Sequence, residues 1–449
     1  MPFELTKELI EKIEVLVEEQ KDQELQSHLE EFHHADIAEI LDELTMDEAT
    51  YIIKLLGSDQ TSEVLMELDE DDREKILRNL NAKEIANEIE EMDTDDAADI
   101  ISELSEDIKT QVISNIKDKE HAENIVELLK YDENSAGGLM AKELIRVNEN
   151  WSVTGCMTEM RNQAENVTRV HSIYVVDNKG RLKGRLSLKD LITASSKAEI
   201  GDVYIRNVDY VDVHTSGEEV ARLMQKYDLE AIPVVDEFGR LVGRITVDDI
   251  IDFIKEEADK DYQMAAGISE DVEADSSVWE LTRARLPWLI LGLFGGLGAV
   301  YVMQGFDSAL EEYEILFFFT PLIAAMAGNV GVQSSAIIVQ GLANDSVKDS
   351  LVKRLLKEVA LSIINGSALA ILVLVFGAAT SMEFLVSLSI AVSILSVIIM
   401  AALIGTFVPI ILNKRGIDPA IATGPFITTS NDIIGILAYF YIAKLILNF

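Results

Sequence analysis

The run Gly424-Pro-Phe-Ile-Thr-Thr-Ser-Asn-Asp432-Ile-Ile-Gly-Ile-Leu-Ala-Tyr-Phe-Tyr-Ile-Ala443 places a single carboxylate, Asp432, inside an otherwise apolar stretch that begins at Pro419. Four other runs share its near lack of charge: Leu286 to Met303, Ile315 to Ala343, Val359 to Met382 and Phe384 to Asn413. Each approaches or exceeds the roughly 20 residues that cross a bilayer, which predicts five spanning helices. The charges between them orient the chain. Arg283 and Arg285 precede the first run, and the first connection has no Lys or Arg. The second holds Lys348, Lys353, Arg354 and Lys357, the third only Glu383, and the fourth Lys414 and Arg415. Basic connections stay on the cytoplasmic side, so this alternation predicts a multi-pass protein of the cell (inner) membrane, in contact with its lipid, with a cytoplasmic N-terminal half and an external C-terminus.

Upstream the composition inverts. Residues 1 to 285 hold 31 Lys and Arg against 69 Asp and Glu, whereas residues 286 to 449 hold 7 against 10. Nearly all of the formal charge of −41 therefore lies outside the apolar part, which points to cation handling and away from nucleic acid as a partner. Phe3 to Glu24 is charged and amphipathic and lacks the apolar core of a cleavable signal. The single cysteine, Cys156, excludes an internal disulfide or a cysteine zinc cluster, and packing is its expected role. The six His are scattered, His33-His34 has no matching metal spacing, and neither a nucleophile and base pattern nor a phosphate loop is present, so no enzyme is expected.

The acidic part opens with a repeat. Stepping by twelve from Leu41 gives Ile53, Leu65, Leu77, Ile89, Ile101, Ile113 and Ile125; from Leu44 it gives Leu56, Leu68, Leu80, Met92, Leu104, Ile116 and Leu128. Every position in both series is apolar, and two apolar residues three apart mark one face of a short helix. Thr45, Asp69, Asn81 and Asp93 are followed three residues later by Glu48, Asp72, Glu84 and Asp96, the pattern of a capping box. Helices of about two turns are unstable singly, so residues 1–135 are expected to stack as an α-helical superhelical domain. Residues of equal phase then share a side, as Glu63 and Asp99 do, and Asp59 and Asp95. Such acids are either a solvated surface or carboxylates whose repulsion a divalent ion relieves.

From Gly137 the pattern changes to short β-rich segments, each followed by a Gly-containing turn, a second strand and a helix. Two copies align, Ile173-Tyr-Val-Val-Asp-Asn-Lys-Gly-Arg-Leu-Lys-Gly-Arg-Leu-Ser187-Leu-Lys-Asp190 and Ile232-Pro-Val-Val-Asp-Glu-Phe-Gly-Arg-Leu-Val-Gly-Arg-Ile-Thr246-Val-Asp-Asp249. They place α/β modules at 136–200 and 201–258. The second runs into an acidic helix over 250–278 that leads to the membrane domain at 279–449, with Asp249, Asp252 and Glu256 on one face. Within the apolar part, Ala327-Gly-Asn-Val-Gly-Val-Gln-Ser334 and the stretch around Asp432 carry Gly, Pro and amides, which a bilayer tolerates only against protein or a water-filled cavity. The plainer reading is close helix packing for the first motif and helix capping by Asp432 for the second. An ionisable residue at this depth is nevertheless a functional candidate.

The aligned copies resemble a tandem pair of CBS domains, in which a Ser or Thr and an Asp can hold the ribose of an adenosine nucleotide. That implies possible ATP binding at Ser187, Asp190, Thr246 and Asp249. The whole chain, in domain order, resembles the MgtE family of magnesium channels and transporters. The likeness rests on the acidic repeat, the CBS pair, the connecting helix, Arg-Leu-Pro-Trp288, Gly-Asn-Val-Gly-Val-Gln-Ser and the Asp-Pro-Ala…Asn-Asp closing segment. It implies a homodimer with the pore between subunits, Asp432 as pore carboxylate, and Gly328, Asn329, Gly331, Gln333, Gly424, Pro425 and Thr428 lining it. It also implies regulation by Mg²⁺ at Glu63, Asp95, Asp99, Glu218, Asp228, Asp249, Glu257, Asp261 and Asp418, so that Mg²⁺ is both substrate and regulator. Lys260 stands where the family can have an acid, and Gly424 where some members have Asn. The competing expectations are a coupled exchanger or carrier preferring Mn²⁺ or Co²⁺, and a non-transporting Mg²⁺ or nucleotide receptor.

Overall fold

Seven consecutive helices start twelve residues apart, at His34, Met46, Ser58, Glu70, Ala82, Thr94 and Glu106, in the computed structural model of the chain. The structure describes residues 3–164, 167, 169–270, 272, 276–343, 347, 350–422 and 424–449, without the side chains of residues 59, 71, 308, 310 and 422. Lys348 and the Asp59 side chain, both used above, lie outside the described residues. The chain forms two units, Met1–Lys255 and Glu256–Phe449.

In the first unit the twelve-residue pattern becomes a core. Leu41, Ile53, Leu65, Leu77, Ile89, Ile101 and Ile125 are at most 3% exposed, and burying such a side chain contributes roughly 1.5–3 kcal/mol. The chain reverses between helices with the aid of caps. The Thr45 N–H donates to Glu48 at 3.0 Å, and Asn81 and Glu84 exchange bonds at 2.8 and 3.1 Å. Two of the four expected caps differ. Neither Asp69 nor Asp93 makes a side-chain cap, and Asp93 is drawn away by Arg244, whose Nη2 lies 3.2 Å from its Oδ2.

The paired modules share one topology. Strands β1 (Ile145–Asn148), β2 (Ile173–Val176) and β3 (Leu182–Leu186) form one sheet, and β4 (Val211–Asp212), β5 (Ala231–Val235) and β6 (Leu241–Thr246) the other. In each, the first pair is parallel and the second antiparallel. The first module packs its own core around Cys156, which burial makes inert by pushing the thiol up to about 11. The second does not close alone: Met140, Val211, Val220, Ile232 and Ile245 continue the apolar cluster of the helical repeat. The segment between repeat and β1 is stitched to it by bridges Ser135–Ser216 and Ala141–Arg244. The repeat is thereby seated on the second module, on the side from which β6 leads into the helix Val247–Ala266.

In the second unit, five helices among the described residues are long and apolar enough to cross a bilayer: Val278–Gln304, Ile315–Ala343, Leu351–Ala379, Phe384–Lys414 and Gly424–Leu447. These are the first to fifth spans below. The fourth is the most enclosed, its Ile390, Ile394 and Val397 packing with Ile323 and Ala327 of the second and Tyr439 and Phe440 of the fifth. Three starts differ from the hydropathy reading. The first span begins at Val278, eight residues before Leu286. The fifth span begins at Gly424, because Pro419–Ala422 forms a separate tight turn. The third begins eight residues before Val359, which brings Glu358 inside it at 5% exposure. Asp432 is therefore not the lone carboxylate within a spanning helix.

Ile101 is fully buried between neighbouring repeats, so Ile101→Ala should destabilise the repeat by about 2–5 kcal/mol. A thermal unfolding midpoint of the purified chain equal to that of the wild type would refute the stacked-core account.

Candidate metal centre and transport path

The start of the helix Thr94–Glu103 is crowded with acid. Asp93 precedes it, Asp95 and Asp96 occupy its first turn, the segment between the repeat and β1 supplies Glu143, and the second module supplies Asp249. Glu143 does the capping that Asp93 gives up: its Oε2 accepts from the Thr94 N–H at 3.1 Å and the Thr94 hydroxyl at 2.9 Å. Carboxylate oxygens of Asp93, Asp95 and Glu143 all lie within 4.8 Å of one another. Asp249 is held at the start of its own helix by the Thr246 N–H at 2.9 Å. Against these five carboxylates stands Arg244, 7% exposed, bonded through Nε to the Glu143 carbonyl at 2.5 Å and through Nη2 to Asp93.

One guanidinium does not balance five clustered acids, of which Asp95 is buried and the other four are half-buried. Burial first, and then the neighbouring carboxylates, push Asp96 up to about 8 and Asp95 well above the usual carboxylate range. Asp93 rises to about 6 by burial and Glu143, with Arg244 pulling the other way. Carboxylate oxygens alone, in excess negative charge, are the donor set of a hard divalent cation such as Mg²⁺. The residues present fit that ion.

Of the other sequence candidates in this unit, Asp99 is exposed on the same helix, and Glu218 and Asp228 are exposed at opposite ends of the helix Gly217–Tyr227. Glu63 binds His34 at 2.8 Å, and the other ring nitrogen of His34 is 3.4 Å from Glu67. Ser187 caps the helix Leu188–Thr193 by accepting from the Asp190 N–H at 3.0 Å and donates its hydroxyl to the Asp190 carboxylate at 2.6 Å, and Thr246 is buried against Asp249. The cleft between the two modules is lined instead by Tyr174, Arg185, Asn207, Asp209, Ala231 and others, and the buried Tyr174 hydroxyl has no hydrogen-bond partner there.

In the membrane unit the second and fifth spans interlock through small residues. A methyl at Gly328 would lie 2.8 Å from Thr428 and 4.0 Å from the Asp432 carboxylate. One at Gly331 would overlap the amide of Asn431, which is 1% exposed and donates to the Ala327 carbonyl at 3.4 Å. Gly328 and Gly331 thus bring the helices together, while Asn329 and Gln333, one turn apart, are exposed on the second span, and Asp432 of the fifth is half-buried. Gly424 has φ +43°, and a side chain there would strike the Ala265 carbonyl at the end of the helix Val247–Ala266. Gly267, φ +83°, meets Pro425 in the same way. Thr428 bonds back to the Gly424 carbonyl at 2.6 Å. On the connecting helix Glu257 pairs with Lys260 at 3.5 Å and Asp261 is exposed; Asp418 is exposed and accepts from the Ala420 N–H at 2.7 Å.

Sequence reading missed Glu143, Arg244 and Glu358, and took Asp93 and Asp96 as caps only. Nothing local marks Glu143, which is 48 residues from Asp95 and meets it only in the fold.

The family model MgtE, described as a divalent cation transporter, matches residues 320–442; the MgtE intracellular N domain matches 32–134, and CBS domains match 136–197 and 200–256. The chain is 37% identical over 317 residues to the magnesium transporter MgtE of Bacillus subtilis, covering 70% of each. It is 36% identical over 324 residues to that of Thermus thermophilus, covering 72% of each. Among solved structures it is similar to the cytosolic domain of the Mg²⁺ channel MgtE in complex with ATP, at 34% identity and TM-score 0.52 over 54% of this chain and 99% of that one. The soluble part of a magnesium transporter matches at 29% identity and TM-score 0.51, over 56% and 99%.

The raised carboxyls set the sign of a pH effect. The folded cluster holds protons that the unfolded chain has released, so without divalent ions stability is greatest at low pH and is lost as pH rises through about 6 and then about 8. In EDTA the urea midpoint of the repeat should fall between pH 5.5 and 8.5, and millimolar Mg²⁺ should flatten the slope. A midpoint that rises with pH in EDTA would contradict the assignment.

Proposed function

From the premise that the chain belongs to the MgtE family of divalent cation transporters, we propose that it admits Mg²⁺ through a pore between two copies, and that its acidic cytoplasmic surfaces close the pore when Mg²⁺ is plentiful. The observation that carries the reading is the exposed pair of amides, Asn329 and Gln333, on the spanning helix whose Gly328 lies against Asp432. Amides and a carboxylate are costly against lipid, and a second copy related by a two-fold axis would enclose them and double the carboxylate. Mg²⁺ sheds water reluctantly, so a polar vestibule that meets it still hydrated suits it better than a closed cage. The N-terminal domains are then cytoplasmic and the C-terminus external.

For regulation, Asp93, Asp95, Asp96, Glu143 and Asp249 would hold Mg²⁺, which when bound supplies the positive charge that Arg244 alone does not. Without it these carboxylates repel, and the repeat is held on the second CBS module less firmly. Glu63, Asp99, Glu218, Asp228, Glu257, Asp261 and Asp418 are further proposed sensing positions. The helix Val247–Ala266 carries the signal: its first turns belong to the sensor unit, and its last residues touch Gly424 and Pro425. The inter-module cleft is the proposed ATP site, Tyr174 and Arg185 suiting a base and a phosphate; the ATP complex of the similar cytosolic domain supports this.

Mg²⁺ influx into proteoliposomes tests the reading directly. Asp432→Ala should lower it by an order of magnitude or more, and raising Mg²⁺ on the domain side should suppress wild-type flux. Folded wild-type dimers that pass no Mg²⁺ at any concentration would leave the sensor alternative standing. Gly424→Ala introduces a side chain at positive φ and against the Ala265 carbonyl, at about 1–2 kcal/mol for the backbone alone. It should raise the domain-side Mg²⁺ needed for half-closure; unchanged closure would remove that contact from the gating path.

A further inference from the structure

The third span buries an acid that conduction through Asp432 does not use. Glu358 is 5% exposed, and the hydroxyl of Ser334, itself 6% exposed, donates to its Oε2 at 3.4 Å from the second span. Arg354 sits one turn earlier on the same helix, its Nε buried without a hydrogen-bond partner. A carboxylate inside a spanning helix is expensive and is seldom kept for packing alone. Here it grips the helix that carries the exposed amides, at the residue directly after Gln333.

That helix meets its neighbours largely through small residues, Ala327, Gly328 and Gly331, beside the buried Ile323 and Ile338 and the Asn431 bond to the Ala327 carbonyl. Small residues let helices approach closely but offer few knobs, so hydrogen bonds between the helices do much of the holding against rotation. Side-chain tips ride roughly 6 Å from a helix axis, so a turn of about 20° moves an amide by about 2 Å. Groups that meet an ion need tighter control than that. A carboxyl oxygen accepts the Ser334 bond without demanding one in return.

We propose that Glu358 is a positioning residue for Mg²⁺ conduction: through Ser334 it fixes the rotation of the second span and so the aim of Asn329 and Gln333. The assignment rests on the pore-facing reading of those amides.

The test is Mg²⁺ influx into proteoliposomes of the full chain carrying Glu358→Ala, Glu358→Gln, Ser334→Ala and the double Ala variant. Glu358→Ala should cut maximal flux about tenfold and shift the half-saturating Mg²⁺ concentration several-fold, with the domain-side concentration for half-closure unchanged. Glu358→Gln, whose amide oxygen still accepts from Ser334, should stay within about twofold to threefold of wild type. Ser334→Ala should match Glu358→Ala, and the double variant should be no worse than either, as expected of one shared interaction. Glu358→Ala and Ser334→Ala variants with wild-type flux and half-saturation overturn the proposal. So does Glu358→Gln failing as badly as Glu358→Ala while Ser334→Ala is harmless, since charge would then be the requirement. If Glu358→Ala does not fold, the Gln and Ser334 variants still decide. Normal wild-type flux that survives Asn329→Ala and Gln333→Ala removes the pore-facing premise and this assignment with it; wild-type chain without flux removes conduction itself.

Discussion

Five carboxylates share one guanidinium where the helix Thr94–Glu103 meets the second CBS module, and that imbalance governs how the cytoplasmic unit behaves. Apolar burial is continuous across the same contact, from Ile101 in the repeat to Ile245 in the module, so hydrophobic packing brings the partners together while charge opposes it. Asp95 is almost wholly buried, and its neighbours can be accommodated only by protons, by Arg244 or by a cation. A contact in which favourable area and unfavourable charge are set against each other is conditional on what the solvent supplies. Arg244 ties the two sides of the contact together, because it holds both the Glu143 carbonyl and the Asp93 carboxylate.

The membrane unit resolves a different conflict. A path for a hydrated ion needs polar groups at bilayer depth, and the same groups weaken helix association with lipid. Small residues answer this by letting backbones approach, as Gly331 does against Asn431 and Gly405 against the Gly331 carbonyl. The polar side chains then divide. Asn431, Ser334 and Glu358 are spent inward on helix-to-helix bonds, and Asn329 and Gln333 remain outward. The inward set gives the outward set its shape.

Much of this was legible in the chain. The twelve-residue step carried the helical array because one buried position per turn-pair is a local, periodic demand, and hydropathy carried the five spans for the same reason. Asp95, Asp249 and Asp432 were readable as candidates from charge density and from likeness to a family. What the sequence withheld depends on contacts between distant segments. Glu143 and Arg244 are ordinary residues in ordinary strand-flanking positions until the repeat is laid on the second module. Asp93 reads as a cap, and is one by position, but a guanidinium from residue 244 outcompetes the helix for its oxygens. Glu358 fell one residue outside an apolar run because hydropathy marks where charge stops, whereas the helix marks where backbone hydrogen bonding starts.

The even spacing of the helix starts, from His34 to Glu106, gives way to thirteen residues at Lys119, next to the segment that crosses to the CBS pair. An array built this way is modular in one dimension, each unit answering chiefly to its neighbours. Ancestral chains could gain or lose whole units at the far end without disturbing the acidic junction, since the unit carrying Asp93, Asp95 and Asp96 is anchored from its other side. The length of the array and the chemistry of its acidic junction are therefore free to evolve separately.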